Sequence, residues 1–139
     1  MANLEKAILI AVEAHQGQKD KAGKPYILHP LRVMFRMASE KERIAAVLHD
    51  IVEDTEWTPQ ALRRAGFSRE IVKAVDSLSR RDKESYSEFI ARVKLHPLAR
   101  KVKLADLEDN MDISRIHKPG KKDWARIRKY RRAIRELGK

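Results

Sequence analysis

Apolar residues in this chain recur at helical spacing from one end to the other, and no segment alternates as a half-buried strand would. That regularity restricts the fold class to all-α. Leu4, Ala7, Ile8, Ala11 and Val12 form one stripe and predict an amphipathic helix over 3–16. Gly23 and Pro25 interrupt the pattern in QKDKAGKPYILHP. Pro30 suits the first turn of a helix over 30–38. Ser39 followed by Glu42 reads as a capping box that opens a helix over 40–52. Thr58-Pro59 starts a short helix ended by Gly66, and Ser68 caps another over 69–78. SRRDKES is a polar loop, followed by helices over 86–95 and 97–112 and, beyond Pro119-Gly120, over 121–137. The expectation is a single domain over 1–139 with seven to eight helices.

The chain contains no cysteine, so thiolate metal sites and disulfides are excluded, and any metal must be held by His, Asp or Glu. No apolar stretch is long enough to span a bilayer. Glu5, Lys6 and Glu13 interrupt the N-terminal apolar residues, which do not read as a signal peptide; a cytoplasmic protein is expected. The formal net charge of +11 points to an anionic partner: nucleic acid, anionic lipid or a multiply phosphorylated small molecule. Positive residues concentrate in the last forty positions, whereas acids cluster at 50–56 and 106–112.

The stretch AAVLHDIVEDTEW, residues 45–57, drives an apolar run into His49-Asp50, with Glu53 and Asp54 one turn later. Buried charge without a partner is costly, so such groups are usually paired, solvated or bound to metal. On a continuous helix His49 and Glu53 share one stripe and Asp50 and Asp54 another. Imidazole with carboxylate suits Mn²⁺, Fe²⁺ or Zn²⁺. Two ligands are too few; His15, His29, His96, His117 and the acids of VKLADLEDNMD are the further donors on offer. Each residue has a simpler reading on its own: His29 as a loop histidine before a helix, Asp106 as a helical acid paired with Lys103, and Glu53 and Asp54 as solvated acids.

Three segments, PYILHPLRV, LHDIVEDT and VKLADLEDN, in this order resemble the hydrolase domain of the RelA/SpoT alarmone enzymes, within the HD metal-dependent phosphohydrolase superfamily. The length is similar to that of the small alarmone hydrolases, which lack synthetase and regulatory domains. The resemblance runs from His15-Gln16-Gly17-Gln18 to Tyr130. It implies a compact helical HD fold and metal ligands at His29, His49, Asp50 and Asp106, usually for Mn²⁺. It implies that Glu53 and Asp54 activate and orient the attacking water. It further implies a substrate contact at Asn110, phosphate and sugar contacts at Arg126 and Tyr130, and a phosphate-facing lysine at Lys21. The implied activity is 3′-pyrophosphohydrolysis of a purine alarmone, with Arg80 or Arg81 among the cations that neutralise phosphate.

One position departs from that family. Ahead of the glycine the family usually has Arg-Lys, and its arginine holds the base; this chain reads GQKDKAG, with Asp20 at the arginine position. An ionised carboxylate only accepts hydrogen bonds, whereas arginine only donates. The reading therefore includes guanosine and adenosine alarmones and leans to adenosine. The alternatives are an HD phosphohydrolase acting on another nucleotide or a phosphomonoester and, in a different class, a basic nucleic-acid-binding module. The last helix carries basic residues with Trp124 and Tyr130 between them, but Trp124, Ile127, Ala133, Ile134 and Leu137 read more easily as core, and no nucleic-acid motif is present.

Overall fold

A computed structural model describes residues 1–139. It contains α1 (Leu4–Ala14), α2 (Leu28–Phe35), α3 (Glu40–Val47), α4 (Ile51–Asp54), α5 (Pro59–Arg64), α6 (Arg69–Ser77), α7 (Tyr86–Lys94), α8 (Pro97–Asn110) and α9 (Lys121–Gly138), with a 3₁₀ turn at Ile113–Arg115 before α9. There are no strands, only an isolated bridge between Lys19 and Pro25.

The helix ends follow local chemistry. Ser39 and Ser85 each form a full capping box, with Glu42 and Glu88 as the reciprocating acids. Thr58 and Ser68 cap α5 and α6 through their hydroxyls. Gly66, at φ 105°, takes the left-handed conformation that ends the α5 segment. α2 begins two residues before the expected 30, because Tyr26 and Pro25 carbonyls already accept from His29 and Leu28.

Two expectations need correction. The helix expected over 40–52 is broken: α3 ends at Val47 and α4 starts at Ile51. At the break the hydrogen bonds shorten to 3₁₀ spacing, His49 N–H to Ala46 C=O and Ile51 N–H to Leu48 C=O. The four-residue stripes drawn through His49 and Asp50 thus cross a kink. Counting α3 and α4 as one interrupted helix leaves eight, the upper end of the expected range. The second correction concerns α9, where Ile127, Ala133 and Leu137 are buried but Trp124 is 46% exposed.

One connected cluster of 29 buried residues forms the core. Ile44 to Leu48 are all buried, and α3 packs against α1, α2, α6 and α8. α9 closes the other side of α8 and lies on α7. Truncating a fully buried anchor such as Leu107 to alanine should cost about 2–5 kcal/mol. The central position of α3 is what brings the kink, and His49 with it, to the floor of a cleft between α2 and α8.

Candidate metal centre

α2 carries His29 to this floor, the α3–α4 kink carries His49 and Asp50, and α8 carries Asp106. One ligand atom from each of the four lies within 4.8 Å of all the others. Asp106 Oδ1 is 2.8 Å from His29 Nε2 and 3.3 Å from His49 Nε2, and Asp50 Oδ2 is 3.0 Å from His49 Nε2. Both rings are anchored through their far nitrogen. His49 Nδ1–H donates to the Ala46 carbonyl at 2.6 Å, and His29 Nδ1–H donates to Asp109 Oδ2 at 2.7 Å. In those tautomers both Nε2 lone pairs face the carboxylates, the arrangement a bound ion needs. Two imidazoles with two carboxylates fit a divalent ion such as Mn²⁺, Fe²⁺ or Zn²⁺.

His29, His49 and Asp106 are buried. Burial opposes charge on His49, yet Asp50 and Asp106 outweigh it and hold the imidazole well above its usual pKa. Burial likewise opposes charge on His29, and hydrogen bonds to Asp106 and Asp109 reverse the balance upward. Burial would raise the pKa of Asp106, but Lys103 and both histidines hold it well below the carboxylate range. The pairing of Asp106 with Lys103, the simpler reading of that acid, exists at 2.8 Å and coexists with the cluster.

Two openings flank this floor. A cavity of about 370 Å³ is lined by Asp20, Lys21, His29, Asn110, Arg126 and Tyr130, among others. A second, of about 230 Å³, has Glu53 and Asp54 beside Asp50, Asp106 and Asn110, with Arg80, Lys103 and Lys129 opposite. Tyr130 and Asn110 line both. Burial and then Asp50 push the carboxyls of Glu53 and Asp54 upward; Asp54 adds to the rise at Glu53, and nearby histidines oppose it at Asp54. Burial and the adjacent Arg126 lower the pKa of Lys21, with Asp123 opposing. Asp20 Oδ1 accepts from the Ala22 and Lys24 amides, both at 2.9 Å, so this carboxylate builds the loop that forms one wall. Of the two arginines in SRRDKES, Arg80 lines the second cavity while Arg81 is ion-paired with Asp76. His96 caps α8, and His15 is buried behind Tyr26; neither joins the cluster.

Several residues at the site were given no individual role from the sequence. The Tyr26 hydroxyl donates to Asp50 Oδ2. Asp109 is buried one turn beyond Asp106 and receives both His29 and Arg32. Arg32 and Arg115 line the larger cavity. The three-residue spacing from Asp106 to Asp109 places both on one helix face and was the available signal for the latter.

A family model described as HD domain matches residues 7–119. The GTP pyrophosphokinase of Streptomyces coelicolor is 33% identical over 136 residues, which cover 88% of this chain and 16% of that protein. The guanosine-3′,5′-bis(diphosphate) 3′-pyrophosphohydrolase of Aquifex aeolicus is 32% identical over 120 residues, 78% of this chain and 17% of that protein. The bifunctional (p)ppGpp synthase/hydrolase SpoT of Escherichia coli K12 is 32% identical over 123 residues, again 78% and 17%. The chain thus spans about a sixth of the length of these relatives. Among solved structures, that of a metazoan SpoT ortholog that hydrolyzes ppGpp superposes with a TM-score of 0.79, covering 96% of this chain and 84% of the other at 21% identity. That likeness establishes the shared fold.

Proposed function

Because this chain belongs to the HD-domain family, we propose that residues 1–139 form one metal-dependent phosphohydrolase unit that removes pyrophosphate from the ribose 3′ position of a purine alarmone. The observation that carries this reading is the convergence of His29, His49, Asp50 and Asp106 within 4.8 Å beneath two openings. Relatives named as guanosine-3′,5′-bis(diphosphate) 3′-pyrophosphohydrolases support the substrate class. Cations at both openings, Lys21 and Arg126 on one side and Arg80 and Lys129 on the other, suit a nucleotide with diphosphates at two positions.

In this reading His29, His49, Asp50 and Asp106 hold the ion, and Mn²⁺ is the proposed occupant. A divalent ion supplies Lewis acidity and lowers the pKa of water from about 15.7 toward roughly 7. Glu53 or Asp54 directs the attacking water and takes its proton. The water oxygen bonds to the phosphorus on O3′, and the bond from that phosphorus to O3′ breaks. The proton returns to O3′, leaving a 3′-hydroxyl nucleotide and pyrophosphate. Asn110, Tyr130 and Arg126 position the sugar and phosphates, with Lys21 beside the 5′ groups. Asp20 leaves the base choice open to adenine as well as guanine.

The test is a panel of guanosine and adenosine alarmones, with and without Mn²⁺, resolving the products. Mn²⁺-dependent pyrophosphate release with a 3′-hydroxyl product is expected. Release of single phosphates, or turnover undiminished by exhaustive chelation, overturns the assignment. No helix is long and apolar enough to cross a membrane.

A further inference from the structure

From the hydrogen bonds around α8 we infer that Asp109 is a positioning residue for the metal centre: it fixes the tautomer and direction of His29, and Arg32 locks it in that task. The inference rests on the metal-centre reading above. Asp109 is 2% exposed. Its two carboxylate oxygens are divided between two donors. Oδ2 accepts His29 Nδ1–H at 2.7 Å, and Oδ1 accepts Arg32 Nε–H at 2.8 Å. Arg115 Nη2 donates to the Asp109 carbonyl at 2.9 Å and lies 3.6 Å from Oδ2. None of these bonds reaches the ion-facing atoms. They act on the opposite edge of the ring.

The consequence is a matter of donor and acceptor counting. A proton held on His29 Nδ1 leaves Nε2 with its lone pair toward Asp106, His49 and Asp50. A proton on Nε2 instead would point N–H into the ligand cluster and bar coordination. Only a group that accepts at both oxygens satisfies His29 and Arg32 together. An ionised carboxylate does so; an amide of the same shape does not. With asparagine at 109, one of two conflicts follows. Either the amide oxygen serves Arg32 and the NH₂ faces Nδ1, forcing the wrong tautomer, or the oxygen serves His29 and the NH₂ meets the Arg32 donor head-on. Partners that hold a ligating histidine from behind typically contribute 10–100-fold in metal affinity.

Arg32 and Arg115 also line the larger cavity. The lock on His29 is therefore exposed to whatever anion occupies that opening, and it joins the substrate wall to the metal ligand through one buried carboxylate.

The test measures Mn²⁺ binding to the whole, metal-stripped chain by calorimetry, without substrate. Asp109→Asn should bind about 10–100-fold more weakly than wild type, measured below its own, lower unfolding temperature so that only folded protein is compared. Arg32→Met removes the competing donor, so the asparagine oxygen is free to turn to His29. Arg32→Met with Asp109→Asn should therefore bind about tenfold more tightly than Asp109→Asn alone, as coupled neighbours in one network do. A merely structural role predicts the reverse, a double variant no better than the single. Wild-type affinity in Asp109→Asn, or no rescue in the double variant, overturns the inference. A second readout is spectroscopic: in the Zn²⁺-loaded wild type the His29 Nδ1–H proton should resonate downfield and exchange slowly with solvent, as a proton held by a buried carboxylate does, and should lose both properties in Asp109→Asn; an unchanged signal overturns the inference. Wild-type protein that takes up no Mn²⁺ overturns the metal centre itself, and the two failures are thereby distinguished.

Discussion

The acids on the floor of the site and the cations around its openings are held in opposite ways. On the floor, Asp106 accepts from Asn110 and Lys103 at once and lies 2.8 Å from His29 Nε2, and Asp109 accepts from His29 Nδ1–H and Arg32. Asp50 takes the Tyr26 hydroxyl. Every charge there has a partner across the fold. At the openings like charges face each other. Burial and then Arg126 depress Lys21; burial, Arg80 and Lys103 depress Lys129. The floor is organised by the protein alone, whereas the rim is a set of cations whose mutual repulsion an anion would relieve. Removing one member of the floor strands buried charge, at about 3–5 kcal/mol by the usual scale for broken buried pairs. Removing a rim cation strands no buried charge, since even the partner of Arg126, Asp123, lies on the first turn of α9 and also accepts from the Gly120 amide, and it relieves repulsion. Floor variants should thus change chemistry and metal uptake together, and rim variants should change substrate affinity alone.

The largest expected effect is at the floor. His49→Ala should lose the ion and lower turnover by about 10³-fold or more, because water's pKa is no longer brought toward neutrality. Metal content and pyrophosphate release are measured on the same sample. A His49→Ala protein that keeps one stoichiometric Mn²⁺ and wild-type turnover would place His49 outside the metal centre.

Glu53 and Asp54 stand between the two regions, exposed yet beside Asp50. Glu53→Gln should retain Mn²⁺ while losing about 10²-fold in turnover, the scale of a positioned acid–base group. Metal lost together with turnover would move Glu53 into the ligand set, and turnover retained without metal would overturn the metal-dependent reading itself.

On the rim, Arg126→Ala and Lys21→Ala should each raise KM about tenfold with kcat little changed, as expected when a charge-assisted contact common to ground and transition states is removed. Arg81→Ala is the control, since Arg81 lines neither opening. An equal KM rise in Arg81→Ala would mean that general surface charge, rather than the lining of the openings, governs affinity.

The same contrast explains what could be read from sequence. The four residues that converge within 4.8 Å lie in short motifs, and the resemblance of those motifs to the HD hydrolases is what picked His29, His49, Asp50 and Asp106 from the other histidines and acids on offer. The capping boxes at Ser39 and Ser85 are likewise local chemistry, although only the first was singled out. The kink at Leu48–Asp50 was not legible: the residues over 40–52 favour a helix, and the break comes from the tertiary placement of His49 and its bond to Ala46. Arg32 and Asp109 pair across 77 residues, which no local spacing reveals. Trp124 follows the α9 stripe three residues before Ile127 yet is half exposed, and the periodicity cannot say where along the helix packing begins.

The smallest expected effect concerns Asp20, where loop building and base choice meet in one side chain. Its Oδ1 accepts from the Ala22 and Lys24 amides and so shapes the wall of the larger cavity. Only Oδ2 is left to meet a base. Adenine offers an amine donor where guanine offers its O6 acceptor, so a carboxylate oxygen at that edge favours adenine. The wild type is expected to hydrolyse adenosine alarmones at least as well as guanosine ones. Asp20→Asn preserves an acceptor for the loop and removes the charge. It should shift the ratio of kcat/KM values toward guanosine by about 2–10-fold, the worth of one hydrogen bond of about 0.5–1.5 kcal/mol. Asp20→Ala loses both roles and should in addition lower kcat/KM for both purines, because the loop carrying Lys21 loosens. A ratio unchanged in both variants, with efficiency lost only in Asp20→Ala, would assign Asp20 to the turn alone. Strict guanosine preference in the wild type would refute the adenosine leaning and leave the metal centre untouched, since Asp20 contributes no atom to the floor.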